Sequence, residues 1–394
     1  VESNVLRGST GKQYEGRINY PFSAMIGQEK MKLALLLNSV NPQIGGVLIR
    51  GERGSGKTIA VRALADLLPE IEVAAGCRFS CDPYDISKMC VLCREEYEKK
   101  RKLPVQKRKM RIVELPVGTT EDRVVGTLNI ERAIKEGVKA LEIGMLAEVN
   151  RGILYLDNIN LLDDHIMDVL LDSAAMGVNV VEREGVSVSH PASFILIGTM
   201  NPEEGELRPQ LHDRLALHVE VKGLKNLQTR LKIVKQASEF ERDPVYFRQQ
   251  YEDAEKEITQ KIVRARKMLP KVNIKEDFLR ITARMCIELD VDGHRPDIII
   301  TRTALAKAAY EGRREVNEED LRFASELTLG FRMRRSPFEE AALGADKFQQ
   351  VLEHAKKVEE EEKKKGRKPK VKVSKGKVTD EPVAHRKAVS GQQP

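Results

Sequence analysis

The sequence predicts an α/β domain on a mainly parallel five-stranded sheet, followed by an all-helical domain. Three observations carry that expectation. A glycine-rich loop, Gly51-Glu52-Arg53-Gly54-Ser55-Gly56-Lys57-Thr58, lies between an apolar run, Val47-Leu48-Ile49, and a helical pattern from Ile59 to Leu68. Short apolar runs alternate with helical stretches up to about residue 224, as in parallel strands covered on both faces. Beyond Lys225 the strand signals stop and only helical periodicity remains.

Composition narrows the function classes. A hydrophobic content of 41% with 32% charged residues is that of an ordinary folded chain, and 394 residues suffice for two cores. The net charge of +7 is confined to the end of the chain, because residues 356–394 hold 13 Lys/Arg against 6 Asp/Glu and the remainder is neutral. A broad electrostatic footprint for nucleic acid is therefore not expected. No apolar run reaches the ~20 residues that cross a membrane, so a cytoplasmic setting is expected. The chain opens on Val, which suggests a processed chain or a fragment, and a Lys/Glu-rich linker after Leu352 is where a further domain would attach.

The elements follow in order. Residues 1–20 are polar and irregular, and Met31 to Asn38 form an apolar helix ended by Pro42, Gly45 and Gly46. The phosphate-loop strand comes next, then Ile71-Glu72-Val73 as a second short strand. Residues 74–111 form an insertion without a core pattern, carrying four of the five cysteines and a basic run from Arg94 to Arg111. Pro116, Gly118 and Gly126 punctuate a hairpin, and Ile130 to Leu146 reads as a helix broken at Gly144. Ile153-Leu154-Tyr155-Leu156-Asp157 is a buried strand ending in a carboxylate, followed by a helix from His165 to Met176. Val178 to Ser189 alternates around Gly185 as a hairpin, and Phe194 to Gly198 and Leu217 to Val221 complete the strands. Helices are expected at Leu227–Phe240, Val245–Leu269, Lys275–Leu289, Thr301–Glu311 and Asn317–Leu329, the last capped by Asn317 with Asp320. The expected division is an N-terminal segment (1–20), a nucleotide-binding domain (21–224), a helical domain (225–352) and a disordered charged tail (353–394).

The glycine-rich loop carries the chemistry. Gly51, Gly54 and Gly56 let the backbone wrap a triphosphate, Ser55 lies within the wrap, and the following helix turns its positive end to the same anion. Lys57 would reach the β- and γ-phosphates, and the Thr58 hydroxyl would ligate Mg²⁺. The expected ligand is ATP with Mg²⁺. Asp157, at the end of an apolar strand, suits the second Mg²⁺ ligand, and Asn201, just past the Phe194–Gly198 strand, would lie beside the γ-phosphate. Arg214 and Arg295 are candidates for stabilising charge on the transferring phosphoryl group.

The cysteines form a second constellation. Cys77-x₃-Cys81 and Cys90-x₂-Cys93 fall within 17 residues, and two such pairs can close a tetrahedral site. Zn²⁺, an iron–sulfur cluster and plain reduced thiols all remain open, as does the choice between a structural knuckle and a redox sensor. Disulfides are not expected in a cytosolic chain. Cys286 reads as a core residue, the histidines show no ligand spacing, and the basic run 94–111 reads as a solvated loop.

The strings YPFSAMIGQEKMKLALLLN, IGGVLIRGERGSGKT, LPVGTTEDRVVGTL, NRGILYLDNINLLDDH, NVVEREGVSVSHPASF, NPEEGELRPQL and ELDVDGHRPDI resemble the AAA+ motor subunit of magnesium chelatase, from Tyr20 to about Phe338. The resemblance implies an AAA+ domain with a helical lid, a homo-hexameric ring with ATP at subunit interfaces, and a Val178–His190 hairpin inserted before the sensor strand. It implies a D-type AAA+ partner with a von Willebrand A-like domain, and a large porphyrin-binding subunit. It places Ile26 and Gly27 against adenine, makes Asn201 the sensor 1 residue, Arg214 the arginine finger and Arg295 the sensor 2 arginine. The implied activity is ATP-driven Mg²⁺ insertion into a porphyrin, a ligase step of porphyrin biosynthesis. One departure bears on turnover. Where the family has Glu after the Mg²⁺-side Asp, this chain has Asn158, whose amide can orient water but not take its proton. Weak basal ATPase is expected. The alternative is a MoxR-like regulatory ring acting mainly through nucleotide binding. A DNA-engaging motor fits less well, since the hairpin sets Arg183 between Glu182 and Glu184.

Overall fold

In chain order the strands of the computed structural model are β1 (Val47–Gly51), β2 (Ile71–Ala74), β3 (Val105–Arg108), β4 (Ile112–Leu115), β5 (Gly126–Leu128), β6 (Leu141–Ile143), β7 (Ile153–Leu156), β8 (Val178–Arg183), β9 (Val186–Pro191), β10 (Ile195–Met200) and β11 (Leu217–Val221). The structure describes residues 18–128, 141–183, 186–205, 207, 215–291, 293–330, 350–351 and 353–358. Five strands form one sheet in the order β11-β1-β10-β7-β4, with every neighbouring pair parallel. Val47 faces Ile197 and Leu217 in register, and Ile153 faces Ile195 and Ile112. The fifth strand is not the expected one. Ile71–Val73 pairs instead with β3 in a separate antiparallel ribbon, and Ile112–Leu115, at the end of the basic run, takes the sheet edge beside β7.

A period of two divides the core between the faces of the sheet. Val47, Ile49, Ile153, Tyr155, Ile195 and Ile197 share one buried cluster with the helices Glu29–Val40 and Lys57–Leu67. Leu48, Leu154, Leu156 and Leu196 pack on the other side with Ile166, Met167 and Leu170 of the helix Asp164–Met176. The first cluster runs on into the helical region through Ile262, Met285, Ile299 and Leu321.

After β11 every described regular element is helical: Leu227–Arg242, Pro244–Gln250, Glu252–Met268, Glu276–Glu288, Arg295–Tyr310 and Glu318–Leu329, with short 3₁₀ turns. Asn317 caps the last of these, accepting from Asp320 N at 2.9 Å while Asp320 Oδ2 accepts from Asn317 N at 2.9 Å. The buried Asp320 also binds Lys307 Nζ at 3.0 Å and Arg313 at 2.6 Å, tying that helix to its predecessor. Residues 353–358, placed in the disordered tail by sequence, are helical, with Ala355 fully buried and Lys356 paired to Glu318. The rest of that tail lies outside the described residues.

Two further expectations change. Leu141–Ile143, read as helix, is a strand paired with Gly126–Leu128. The backbones there approach so closely that a Cβ on Gly126 would lie 2.6 Å from Glu142 O. The insertion 74–111 has a small core of its own, in which Ala74, Cys81, Met89, Cys90, Cys93 and Leu103 are buried. Its basic run is not a loop but the end of a helix, Val91–Lys100, and β3. Among the described residues no helix is long and apolar enough to cross a membrane.

Candidate nucleotide-binding site

The phosphate loop is shaped by the positions where no side chain fits. A Cβ on Gly51 would stand 2.3 Å from Val221 O, so β1 meets β11 there only as glycine. Gly54 (φ 74°) and Gly56 (φ 85°) take left-handed backbone, and the helix Lys57–Leu67 starts directly from Gly56. Ser55 Oγ donates to Glu52 O at 2.7 Å and curls the loop, while Arg53 Nε donates to Glu204 Oε1 at 3.1 Å and ties it to the turn after β10. Lys57 is buried, and its ammonium donates to Gly51 O at 2.6 Å and Glu52 O at 2.8 Å. Burial pushes it below the ordinary lysine range, opposed by the nearby Asp157 carboxylate. A ready cation thus lies inside the loop, held by carbonyls that an anion could displace.

The residues around it form one polar network on an apolar face of the sheet. The Tyr155 hydroxyl lies 2.8 Å from Asp157 Oδ1, 3.0 Å from Thr58 Oγ1 and 3.3 Å from Thr199 Oγ1. Thr199 donates to Asp157 Oδ1 at 2.7 Å. Tyr155 is fully buried, and burial pushes its hydroxyl well above the usual range, so it stays protonated. Thr58 from the loop helix and Asp157 from the end of β7 are thereby joined through a single phenol. Hydroxyl plus carboxylate is a donor set suited to Mg²⁺, a hard cation preferring oxygen.

Asn158 takes left-handed backbone (φ 56°), which asparagine tolerates better than most residues, and its N–H donates to Thr199 Oγ1 at 3.3 Å. Asn201, 1% exposed, caps the turn after β10 by accepting from Glu203 N at 3.3 Å. Its Nδ2 has no hydrogen-bond partner among the described residues, an amide donor held ready for an acceptor.

Beside the loop lies a cavity of about 640 Å³, bounded by Met25 and Ile26, by Gly54 to Gly56, by Leu224, and by Val234 and Phe240 of the helix Leu227–Arg242. Gly27 (φ 72°) abuts Leu224, whose side chain a Cβ would meet at 2.8 Å. Tyr20 seals the far wall against Phe240 and Phe247, with ring centroids 5.2 and 5.3 Å away. The cavity is apolar enough for a flat base, and its polar end opens on the phosphate loop. Arg295 starts the helix Arg295–Tyr310 in an exposed position and does not line this cavity. Arg214 lies outside the described residues.

The cysteines do converge. Cys77, Cys81, Cys90 and Cys93 bring their sulfur atoms within 4.8 Å of one another, away from the nucleotide cavity. Tyr155, Thr199 and the Arg53–Glu204 tie were not foreseen. A phenol inside an otherwise aliphatic strand was the one signal the sequence offered.

A phosphate loop on a parallel sheet, a carboxylate two strands away across β10, and a helical lid define an AAA+ ATPase-type chain. An AAA lid domain profile matches residues 280–351, and the profile "Magnesium chelatase, subunit ChlI" matches residues 130–210. A magnesium-chelatase subunit ChlI homolog of Methanocaldococcus jannaschii is 54% identical over 86% of this chain and 92% of its own length. The magnesium-chelatase subunit ChlI of Mesostigma viride is 51% identical over 86% of this chain and 95% of its own. A crystal structure from Cytophaga hutchinsonii shares the fold at 16% identity, with a TM-score of 0.55 over 84% of this chain and 90% of that one. The chain belongs to the magnesium-chelatase ChlI family.

Proposed function

We propose that the chain is the ATP-binding motor subunit of a magnesium-chelatase-like complex, driving Mg²⁺ insertion into a porphyrin through partner subunits. The observation that carries the reading is the joining of Thr58 and Asp157 through Tyr155 beside the buried Lys57. Membership of the ChlI family supplies the reaction. ATP provides the phosphoanhydride whose cleavage releases free energy; the chain's own residues hold and align it. Ile26 and Gly27 flank the base, and Gly51, Gly54, Ser55 and Gly56 offer backbone N–H groups to the phosphates. Lys57 leaves its carbonyls for phosphate oxygen, and Thr58 and Asp157 hold Mg²⁺. Asn201 turns its unpartnered amide to the terminal phosphate, and Asn158 orients water without deprotonating it. Arg214 acts on a neighbour's nucleotide in a homo-hexameric ring and Arg295 acts from the lid. A D-type AAA+ subunit with a von Willebrand A-like domain and a large porphyrin-binding subunit complete the complex.

The test is metal insertion into porphyrin with candidate large and D-type subunits, comparing ATP with a nonhydrolysable analogue. Insertion that requires this chain and hydrolysable ATP is expected, and insertion indifferent to the chain would overturn the proposal. Asn158 favours a second reading, a MoxR-like ring in which bound nucleotide itself is the signal. Partner remodelling supported equally by the analogue would select that reading.

A further inference from the structure

The nucleotide chemistry leaves the four clustered cysteines without a task. Cys77 and Cys81 lie on the turns after β2, while Cys90 caps the helix Val91–Lys100 and Cys93 sits in its first turn. Cys77 and Cys90 stand 4.0 Å apart, sulfur to sulfur, and all four fall within 4.8 Å. A tetrahedral centre with metal–sulfur bonds of ~2.3 Å has sulfur–sulfur edges of ~3.8 Å, so one ion matches the spacing. A four-iron cluster puts each cysteine on a different iron and needs the sulfurs spread more widely.

We propose that Cys77, Cys81, Cys90 and Cys93 hold one Zn²⁺ in a closed structural site, and that the knuckle so formed braces the base of the β8–β9 hairpin. The surroundings suit thiolates. Cys90 N donates to Cys81 Sγ at 3.1 Å, a backbone bond of the kind that orients and stabilises a metal-bound sulfur. Zn²⁺ with four thiolates carries a net charge of −2, and the Arg108 guanidinium lies close enough to interact with Cys77. Its Nε and Nη1 are buried without hydrogen-bond partners among the described residues. Three of the six buried residues of this small core are themselves cysteines, too little apolar surface to fix 38 residues without a crosslink. Each thiol releases its proton to solvent as the ion binds, with no change of oxidation state.

The bracing contacts come from residues next to the ligands. Phe79, between Cys77 and Cys81, stacks on His190 of β9 with centroids 5.0 Å apart and planes 11° from parallel. Asn150 links the two parts, donating to Phe79 O at 2.7 Å and accepting from Ser193 N at 2.9 Å. Asp82, directly after Cys81, pairs with Arg151 at 3.1 Å. Within the hairpin, His190 Nε2 lies 3.0 Å from Asn179 Nδ2, so the stacked ring fixes both strands.

The test uses the full chain purified anaerobically without added metal. Elemental analysis should find one zinc per chain, lost in Cys93→Ser. Co²⁺ exchange should give the visible d–d bands of a tetrahedral thiolate centre, a readout on the unmutated protein should the variant fail to fold. Removing zinc with a chelator should raise hydrogen exchange at 178–181 and 188–190 at least tenfold, while nucleotide affinity changes less than threefold. Iron with acid-labile sulfide, or a metal-free chain with all five thiols free, would overturn the zinc site. Hairpin exchange unmoved by zinc loss would overturn the brace.

Discussion

Asn158 donates its backbone N–H to Thr199 Oγ1 from a left-handed conformation that most side chains resist. Substituting Asn158→Glu should raise ATP turnover by about 10²-fold or more, because a carboxylate can take the proton an amide only orients. The left-handed backbone should cost that variant roughly 1 kcal/mol of stability. Phosphate release followed under saturating ATP decides the matter, and an unchanged rate would mean another group is the base. Tyr155→Phe tests the network from the other side. Losing the hydroxyl that reaches both Thr58 and Asp157 should cost about 1 kcal/mol of stability. ATP affinity should fall in Mg²⁺ and not in EDTA, as titration calorimetry would show. Lys57, Thr58 and Asp157 were legible in sequence because their evidence is local: a fixed loop spacing and a carboxylate ending an aliphatic run. Tyr155 and Thr199 were not, since only the register of β7 against β10 brings them together.

The strands were readable where both faces are buried and the run is aliphatic throughout, as in β7 and β10. Shortness hid others. Ile112–Leu115 is a four-residue edge strand abutting a basic run, too short for a period to show, and Leu141–Ile143 is a three-residue strand within a helical pattern. The insertion looked coreless because its apolar interior is made largely of sulfur. At this scale the junction of β1 and β11 is the sharpest test. Gly51→Ala forces a Cβ to within 2.3 Å of Val221 O, which only separation of the two strands relieves. We expect a loss of about 2–3 kcal/mol in denaturant unfolding together with weakened ATP binding. Gly54→Ala, facing open space, should strain only the loop.

Across the whole chain, stability and assembly answer to separate groups. Burial alone would raise the Asp320 carboxyl, but Arg313, the Asn317 backbone and Lys307 hold it below its ordinary value. Its contribution to stability is therefore present above about pH 4 and fades as the pH falls through the lowered folded value. Asp320→Asn, which leaves the buried Lys307 with weaker compensation, should cost about 3 kcal/mol at neutral pH and flatten the acid limb of the stability curve. If the chain forms the proposed ring, sedimentation with ATP and Mg²⁺ should show a hexamer that Lys57→Ala does not form. The two domains and the parallel sheet were legible as a sequence of element types, whereas the order of the strands was not. That order has a consequence for how such a chain can change over time. Gly51 ends β1, and Asp157 and Asn201 directly follow β7 and β10, all at the carboxyl edge of the sheet, while the cysteine knuckle touches Asn150 and Arg151 just before β7 begins. Some 15 Å of strand separates the two ends. An insertion rooted at the amino ends can lengthen, shorten or adopt a new ligand without moving an atom that faces the nucleotide.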